Sequence, residues 1–210
     1  QSNPTLALLI RPEGVIISIT AKASTHSEAE KMIEVVEAQV KARVGEYIYA
    51  VDDENMEEVV AKLLKDNCLT VACAESCTGG MLASRLTSIS GSSMYIKGSI
   101  VTYSNEAKMK FLDVDKEILD IKGAVSPEVA KQMAEGVRKA VGSDIGVGIT
   151  GIAGPTGGTD KKPVGLVYIA VAGKDNTVVK ENVFSGDRAR VRYRSTQQAL
   201  EMIRQYIKNK

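Results

Sequence analysis

The fold of this chain is decided by one stretch, Leu69-Thr70-Val71-Ala72-Cys73-Ala74-Glu75-Ser76-Cys77-Thr78-Gly79-Gly80. Its first five residues are apolar or β-branched, which is typical of a buried strand, and residues 81–86 predict the start of a helix. The glycines permit a tight turn between them. A hydroxyl in such a turn faces the N–H groups at the positive end of the helix. Ser76 is therefore a candidate nucleophile with oxyanion donors from the same turn, unless Ser76 or Thr78 only caps the helix.

The composition is that of an ordinary globular protein. The 210 residues are 44% hydrophobic and 25% charged, which fits one large or two small domains. The net charge of +1, the 4% of aromatic residues and the absence of Trp give no general case for binding nucleic acid or an anionic membrane. We find no apolar stretch of membrane-spanning length and no signal peptide, so we expect a cytoplasmic protein. We interpret the start at Gln1, without Met, as a fragment of a longer chain or as added residues.

Three cysteines, Cys68, Cys73 and Cys77, lie within ten residues of one another. An odd number on a predicted strand and turn argues against a disulfide framework and suits a reducing compartment. The chain has one histidine and no Cys-x-x-Cys pair, so we predict no metal site. That histidine, His26, lies far upstream of Ser76, so we expect a nucleophilic Ser76 to use a different base.

The first 51 residues predict a small α+β module. Residues 5–10 and 15–20 have the composition of two strands joined by a turn, and Ser27 is a candidate N-cap for the helix that follows. Residues 47–51 predict a third strand. The module is of the KH-like type, but it has no Gly-x-x-Gly loop, so we expect a structural or dimerising role rather than nucleic-acid binding.

Residues 52–210 predict an α/β layered domain with a mixed sheet, because strand and helix patterns alternate along them. Ser126 followed by Pro127 is a strong helix start. The predicted elements are a helix at 57–66, strands at 69–73, 99–103, 144–150, 164–172 and 177–184, and a last helix at 187–206.

Lys108 is a candidate base for Ser76. The surroundings of Ser76 fit neither the Gly-x-Ser-x-Gly elbow nor the Ser-x-x-Lys pattern, so a lysine would have to come from elsewhere. Lys108 falls in the first turn of a predicted helix that follows Tyr103. The helix dipole and partial burial would lower the pKa of a lysine there. The alternative is a solvated surface lysine.

Two further stretches are candidates for ligand binding. The Gly-x-Gly-x-x-Gly pattern over residues 146–151 is followed by a Pro- and Gly-rich loop that cannot begin a helix, so it is not a dinucleotide fingerprint. The loop, with Thr150 at its start, still fits close ligand approach, or is only a flexible connection. Four arginines, at 188, 190, 192 and 194, crowd the start of the last helix. They fit a bound phosphate or carboxylate, or else a solvated basic face.

Several motifs together resemble one family, the competence/damage-inducible CinA proteins. Residues 53–210 are similar to its C-terminal domain, the nicotinamide-nucleotide amidase or NMN deamidase, and residues 1–51 resemble its KH-type linker module. Full-length members also carry an upstream molybdopterin-binding-like domain associated with ADP-ribose pyrophosphatase activity, so this chain looks like a C-terminal portion. The motifs are residues 74–80, 101–108, 123–126, 150–155, 157–158, 162–165 and 184–188.

The resemblance implies hydrolysis of the carboxamide of nicotinamide mononucleotide, without a cofactor, in a homo-oligomer that we expect to be a dimer. It implies Ser76 as nucleophile and Lys108 and Tyr103 as proton-handling partners. Alternatives are a catalytically silent regulatory or scaffolding domain, and a thiol hydrolase that uses Cys77. Arg190 or Arg192 could replace Arg188 at the phosphate. The implied substrate-binding residues are Cys77, Thr78, Gly79, Thr150, Gly151, Gly154, Arg188 and Arg192.

Overall fold

The structure is a computed structural model that describes residues 3–52 and 54–209. The chain divides into two compact units, with the division between Glu54 and Asn55. The N-terminal unit contains a two-stranded sheet and the C-terminal unit a five-stranded sheet. The boundary predicted from the sequence lies three residues earlier, between residues 51 and 52.

The N-terminal unit is a hairpin followed by a helix. Strands β1 (Thr5–Arg11) and β2 (Gly14–Thr20) pair antiparallel, with Arg11 opposite Gly14 at the turn. Helix α1 (His26–Val44) follows. Its half-buried apolar residues recur at helical spacing and are Ala29, Met32, Ile33, Val36 and Val40. The hairpin and the helix were both predicted from the sequence.

Two details predicted for this unit are wrong. The N-cap of α1 is Thr25, whose side chain accepts from the Glu28 N–H, so Ser27 lies inside the first turn. No third strand forms among the described residues of 47–51. A 3₁₀ turn runs directly out of α1 instead, and the Ile48 N–H donates to the Gly45 carbonyl at 3.2 Å. The backbone of this segment therefore begins by bonding locally rather than to a sheet edge.

The C-terminal unit alternates helices and strands, as the sequence predicts. Helix α5 was not predicted, because seven residues are too few for a clear apolar period. In chain order the elements are α2 (Met56–Asp66), β3 (Val71–Glu75), α3 (Met81–Thr87), β4 (Ile96–Val101), α4 (Asn105–Leu112), α5 (Lys116–Lys122), α6 (Pro127–Val141), β5 (Ile145–Gly151), β6 (Leu166–Ala172), β7 (Thr177–Val183) and α7 (Arg188–Lys208).

The five strands lie in the order β4-β3-β5-β6-β7. β3 is central and pairs parallel with both β4 and β5, whereas β6 and β7 extend the sheet antiparallel. The predicted α/β fold with a mixed sheet is therefore confirmed. Because β3, β4 and β5 are parallel, their carboxyl ends meet at one edge of the sheet, where α/β proteins commonly bind ligands.

Two glycines of β5 let helix α6 lie directly on the sheet. A Cβ at Gly146 would lie 2.0 Å from the Ala134 carbonyl oxygen, and one at Gly148 would lie 2.4 Å from the Ala130 carbonyl oxygen. The helix backbone thus fills the space that side chains would need. Close packing of helix on strand therefore explains the Gly-x-Gly pattern without a bound nucleotide. The buried stripe of α6 includes Val129, Met133 and Val137.

Candidate active site

Ser76 follows β3 directly and is held by the backbone on both sides. Its N–H donates to the Ile149 carbonyl of β5 at 3.0 Å, and its own carbonyl accepts from the Gly79 N–H at 3.1 Å. Gly79 and Gly80 have φ angles of +60° and +90°, a left-handed conformation that favours glycine. The predicted strand, tight turn and helix are therefore present, with Ser76 at the start of the turn.

Lys108 brings an amine to Ser76. Its Nζ lies 3.2 Å from Ser76 Oγ and donates to the Thr102 carbonyl at 2.8 Å. The side chain is only 1% exposed, so it is not a solvated surface lysine. Burial lowers the pKa of Lys108, while Cys77 and Glu106 act in the opposite direction. A lysine with a lowered pKa beside a serine hydroxyl can take up its proton.

The connection between β4 and α4 sets the place of Lys108. Thr102 follows β4 and donates its N–H to the Glu75 carbonyl at 2.9 Å, which fixes this connection against the end of β3. Ser104 then caps α4 by accepting from the Ala107 N–H at 3.1 Å. Lys108 lies one turn into the helix, and both it and Leu112 are buried, so the same helix face carries the lysine into the interior.

The start of α3 is occupied by a carboxylate of the chain itself. Glu75 is fully buried, and its Oε2 accepts from the N–H groups of Gly80 and Leu82, each at 3.0 Å. Its Oε1 accepts from the Ala83 N–H at 2.9 Å. These N–H groups at the positive end of the helix are thus satisfied within the protein.

Tyr103 contacts Lys108 through its backbone and Arg188 through its side chain. Its carbonyl oxygen lies 3.4 Å from Lys108 Nζ, and its hydroxyl accepts from the Arg188 guanidinium at 3.0 Å. Within the described residues no hydrogen bond joins the hydroxyl to Ser76 or Lys108. The proton-handling role of Tyr103 therefore stays a prediction.

Two of the four arginines at the start of α7 face this site. Arg188 donates to the Gly154 carbonyl at 2.9 Å, and Arg192 donates to the carbonyl of Thr78 in the serine turn at 2.7 Å. Residues four apart share a helix face, whereas residues two apart do not. The geometry therefore favours Arg188 and Arg192 over Arg190.

The glycine-rich loop after β5 is anchored rather than flexible. Thr150 is buried and donates its hydroxyl to the Ala124 carbonyl at 2.8 Å. Lys162, near the end of the loop, donates to the carbonyl of Lys122, the last residue of α5, at 2.5 Å and to the carbonyl of Val125 at 2.7 Å. A Cβ at Gly151 would lie 2.6 Å from a valine methyl of β6, so this glycine serves packing. Of the predicted loop residues, Gly154 is the one that contacts a candidate site arginine.

Three buried polar atoms around Ser76 have no hydrogen-bond partner among the residues that the structure describes. They are Oγ1 of Thr78, Oγ1 of Thr102 and Nε of Arg192. Both threonines are fully buried. Buried polar groups are normally paired with protein, water or a ligand, so these atoms are candidates for contact with a further molecule.

The structure disfavours the other predicted nucleophile chemistry. Cys77 is buried, and desolvation is the main reason that its pKa rises to about 12, with Glu75 adding to the rise. The thiol would thus stay protonated and unreactive near neutral pH. His26 lies in the N-terminal unit, 88% exposed at its side chain, with Nε2 3.2 Å from Glu30. Neither residue supports a thiol or Ser-His site.

Two features are absent from residues 3–52 and 54–209. These residues contain no group of three or more His, Cys, Asp or Glu side chains placed to hold a metal ion. None of their helices is both long and apolar enough to cross a membrane.

Sequence reasoning missed two residues of this site, Glu75 and Thr102. A signal existed for Glu75, because a charged residue that ends a wholly apolar strand must find partners in the interior. No signal existed for Thr102, whose contribution is a backbone carbonyl that any residue would supply.

Comparison with known proteins places the chain in a family. Residues 53–207 match the CinA C-terminal domain. The chain belongs to the CinA family. Residues 1–50 match a second family description, the damage-inducible protein CinA KH domain. The Ser76 turn, Lys108 and both site arginines all lie in the CinA C-terminal domain.

Relatives of the chain are found among both sequences and structures. It is 50% identical over 203 residues to a putative competence-damage inducible protein of Moorella thermoacetica, covering 97% of this chain and 49% of the relative. It is 51% identical over 207 residues to one of Thermoanaerobacter sp. strain X514, covering 99% and 50%. The chain thus spans about half the length of these relatives. The crystal structure of competence/damage inducible protein CihA from Agrobacterium tumefaciens is 39% identical, with a TM-score of 0.68, over 73% of this chain and 96% of that one.

Proposed function

We propose that the C-terminal unit is a nicotinamide-nucleotide amidase. It would hydrolyse the carboxamide of nicotinamide mononucleotide to nicotinate mononucleotide and ammonia. The observation that carries this proposal is the buried pair of Ser76 and Lys108, whose Oγ and Nζ lie 3.2 Å apart. Membership in the CinA family supports it, because the C-terminal domain of that family is associated with this activity.

The acylation step uses Lys108 as base and then as acid. Neutral Lys108 takes the hydroxyl proton while Ser76 Oγ attacks the carboxamide carbon. As the tetrahedral intermediate collapses, the C–N bond breaks and Lys108 returns the proton to the leaving nitrogen, which departs as ammonia. The ester of nicotinate mononucleotide with Ser76 Oγ remains.

The deacylation step repeats these transfers with water. Lys108 takes a proton from a water molecule, whose oxygen attacks the ester carbon. The bond between the acyl carbon and Ser76 Oγ then breaks, and Lys108 returns the proton to Oγ. The products are the carboxylic acid and free Ser76, so the enzyme is restored.

The serine turn offers two backbone donors for the oxyanion. Among the described residues, no carbonyl or carboxylate accepts a hydrogen bond from the N–H groups of Cys77 and Thr78. The Gly79 N–H, in contrast, donates to the Ser76 carbonyl. Two N–H groups directly after a nucleophile are a common arrangement for stabilising the tetrahedral intermediate. We assign them this role.

The arginine pair offers a site for the phosphate of the nucleotide. Arg188 and Arg192 each donate one hydrogen bond to a carbonyl beside the serine turn or the glycine-rich loop. Each guanidinium has five N–H donors, so several remain for phosphate oxygens. The unpartnered Nε of Arg192 is one of the donors that remain.

Ammonia release from nicotinamide mononucleotide, compared with nicotinamide riboside, tests the proposal. We expect release from the nucleotide, and a loss of at least about a thousandfold in kcat for Ser76→Ala and about a hundredfold for Lys108→Ala. The matched control is Lys110→Ala, an exposed lysine of the same helix, which should retain wild-type turnover.

Two outcomes would contradict the proposal. Wild-type turnover by a folded Ser76→Ala variant would exclude the serine mechanism. No release by the folded wild-type protein from either substrate would favour the catalytically silent, regulatory domain. The expected homodimer remains a separate proposal, which light scattering can test.

A further inference from the structure

Glu75 precedes Ser76 and takes no part in the proton transfers described above. Its side chain is fully buried at the end of a strand in which every residue is buried. Placing a carboxylate in such an interior is costly unless hydrogen bonds or charges compensate it. Burial of the Glu75 side chain therefore requires hydrogen bonds or charges that compensate this cost.

The carboxylate satisfies the first N–H groups of α3. Three of them, from Gly80, Leu82 and Ala83, donate to its two oxygens at 2.9 to 3.0 Å. The fourth, from Met81, donates to a carbonyl of the serine turn at 3.3 Å. A helix begins with four N–H groups that lack partners inside the helix, so Glu75 and the turn satisfy the full set.

These bonds close the backbone around Ser76. The side chain of Glu75 reaches over the turn to residues 80–83, while the Glu75 carbonyl accepts from the Thr102 N–H at 2.9 Å. The segment that contains Ser76 is therefore fixed at its start by Thr102, the residue after β4, and at its end by α3. Thr102 also supplies the carbonyl that holds Lys108 Nζ.

We propose that Glu75 is a positioning residue for the nucleophile. Its carboxylate is a built-in anion at the N-terminus of α3, and it holds the serine turn in the geometry that brings Ser76 Oγ to Lys108. This inference rests on the proposed amidase function.

The built-in anion also determines where a substrate phosphate can bind. The helix N-terminus that follows a strand and a glycine turn is a common phosphate site. Here the N–H groups of that site are taken by Glu75, and its negative charge repels a second anion. The phosphate is thus directed to Arg188 and Arg192 on α7.

The test compares Glu75→Gln with a matched control, Glu58→Gln. Glu58 is also a helix-start glutamate, which accepts the Asn55 N–H at 2.9 Å in the capping box of α2. In Glu75→Gln an amide NH₂ faces backbone N–H donors, so the turn must shift. A displacement of about 1 Å near a nucleophile costs up to about a hundredfold in rate.

We expect Glu75→Gln to lower kcat for nicotinamide mononucleotide between about tenfold and a hundredfold. KM should stay within about threefold, because the Glu75 carboxylate bonds to the start of α3 and not to Arg188 or Arg192. The control should lose thermal stability but keep kcat within about twofold. If Glu75→Gln is not recovered folded, Glu75→Asp is the second variant, which keeps the charge but is one methylene shorter. It should show the same lowered kcat with a nearly unchanged KM. An unchanged kcat in a destabilised Glu75 variant would show that Glu75 only stabilises the start of α3, and it would overturn the proposal.

Hydrogen exchange separates this inference from the proposed function. The amides of Gly80, Leu82 and Ala83 should exchange slowly in the wild-type protein and at least about tenfold faster in the Glu75 variant. If the wild-type protein releases no ammonia but shows this pattern, the amidase proposal fails and the positioning of the turn stands. If the three amides exchange equally in both proteins, the positioning role fails whatever the activity.

Discussion

Arg85 joins the helix after the nucleophile to the helix that carries the site arginines, so its removal is the most informative perturbation of the structure. It lies on α3, and its Nε contacts a Glu57 carboxylate oxygen of α2 at 2.5 Å. On α7 its two terminal nitrogens donate to Thr196 Oγ1 at 2.8 Å and to Gln197 Oε1 at 2.6 Å. Its guanidinium carbon also lies 4.7 Å from the centroid of the Tyr193 ring.

The geometry gives a magnitude for Arg85→Met. The side chains of Arg85 and Glu57 are 10% and 17% exposed, so the ion pair is largely desolvated. Removing one partner of a buried ion pair costs about 3–5 kcal/mol, and the residual exposure of Glu57 places our expectation at the lower end, about 3 kcal/mol. For a protein of this size this corresponds to a fall in Tm of about 6–12 °C.

Thermal and denaturant unfolding measure this loss. The matched control is Lys116→Met, because Lys116 pairs with Asp120 while the two side chains are 73% and 62% exposed. An exposed pair is worth at most about 1 kcal/mol, so the control should barely change the free energy of unfolding. We also expect Arg85→Met to raise KM for nicotinamide mononucleotide several-fold, at least about threefold, since α7 loses its contacts to α3. A loss below about 1 kcal/mol for Arg85→Met would refute the reasoning that burial makes this pair strong.

Two further predictions concern pH and packing. Burial lowers the pKa of Lys108 below its ordinary value of 10.5, so between the two pKa values the unfolded chain binds more protons and the free energy of unfolding rises with pH. As pH increases, kcat/KM should rise through the folded-state pKa of Lys108. Lys108→Met should remove the contribution of Lys108 to the pH dependence of the free energy of unfolding. A kcat/KM that does not change with pH would contradict the assignment of Lys108 as base. Gly148→Ala should destabilise by about 2–3 kcal/mol or more in denaturant unfolding, because its Cβ would meet the Ala130 carbonyl at 2.4 Å. Gly142→Ala is the control, because a Cβ at Gly142 would lie in open space. Only the left-handed backbone of Gly142 should cost stability in this variant, about 1–2 kcal/mol. An equal loss of stability in both variants would contradict the packing argument.

The local parts of this fold were accessible from sequence. The Ser76 turn follows from apolar residues and glycines that are adjacent in the chain, and the start of α6 at Ser126 follows from a cap and a proline. The prediction of a third strand over residues 47–51 is wrong, because a strand also needs a partner strand that is distant in the chain. Strand-like composition does not establish that a partner edge exists, and here the chain leaves α1 in a 3₁₀ turn.

The candidate site was predictable in its residue types and less so in its contacts. The sequence predicts the lysine as a base, but its burial depends on the packing of α4 against α6, which no local pattern describes. For Arg85 the sequence indicates only a place in a helix, because its partners lie 28 to 112 residues away in the chain. For Glu75 the sequence indicates burial but not its partners, since these N–H groups come together only when α3 is formed.

Ser76 is anchored to β5 and Thr78 to α7, so the unit cannot be divided before α7 without losing a contact of the serine turn. Ser76 and Lys108 are only 32 positions apart, yet the Ser76 N–H bonds to Ile149, and the Thr78 carbonyl bonds to Arg192. A piece of the unit that stops before α7 would contain the nucleophile and the base but lack the arginines and one restraint on the serine turn. We therefore expect turnover by the proposed amidase to require the whole folded unit, and a fragment made of its first half to be inactive.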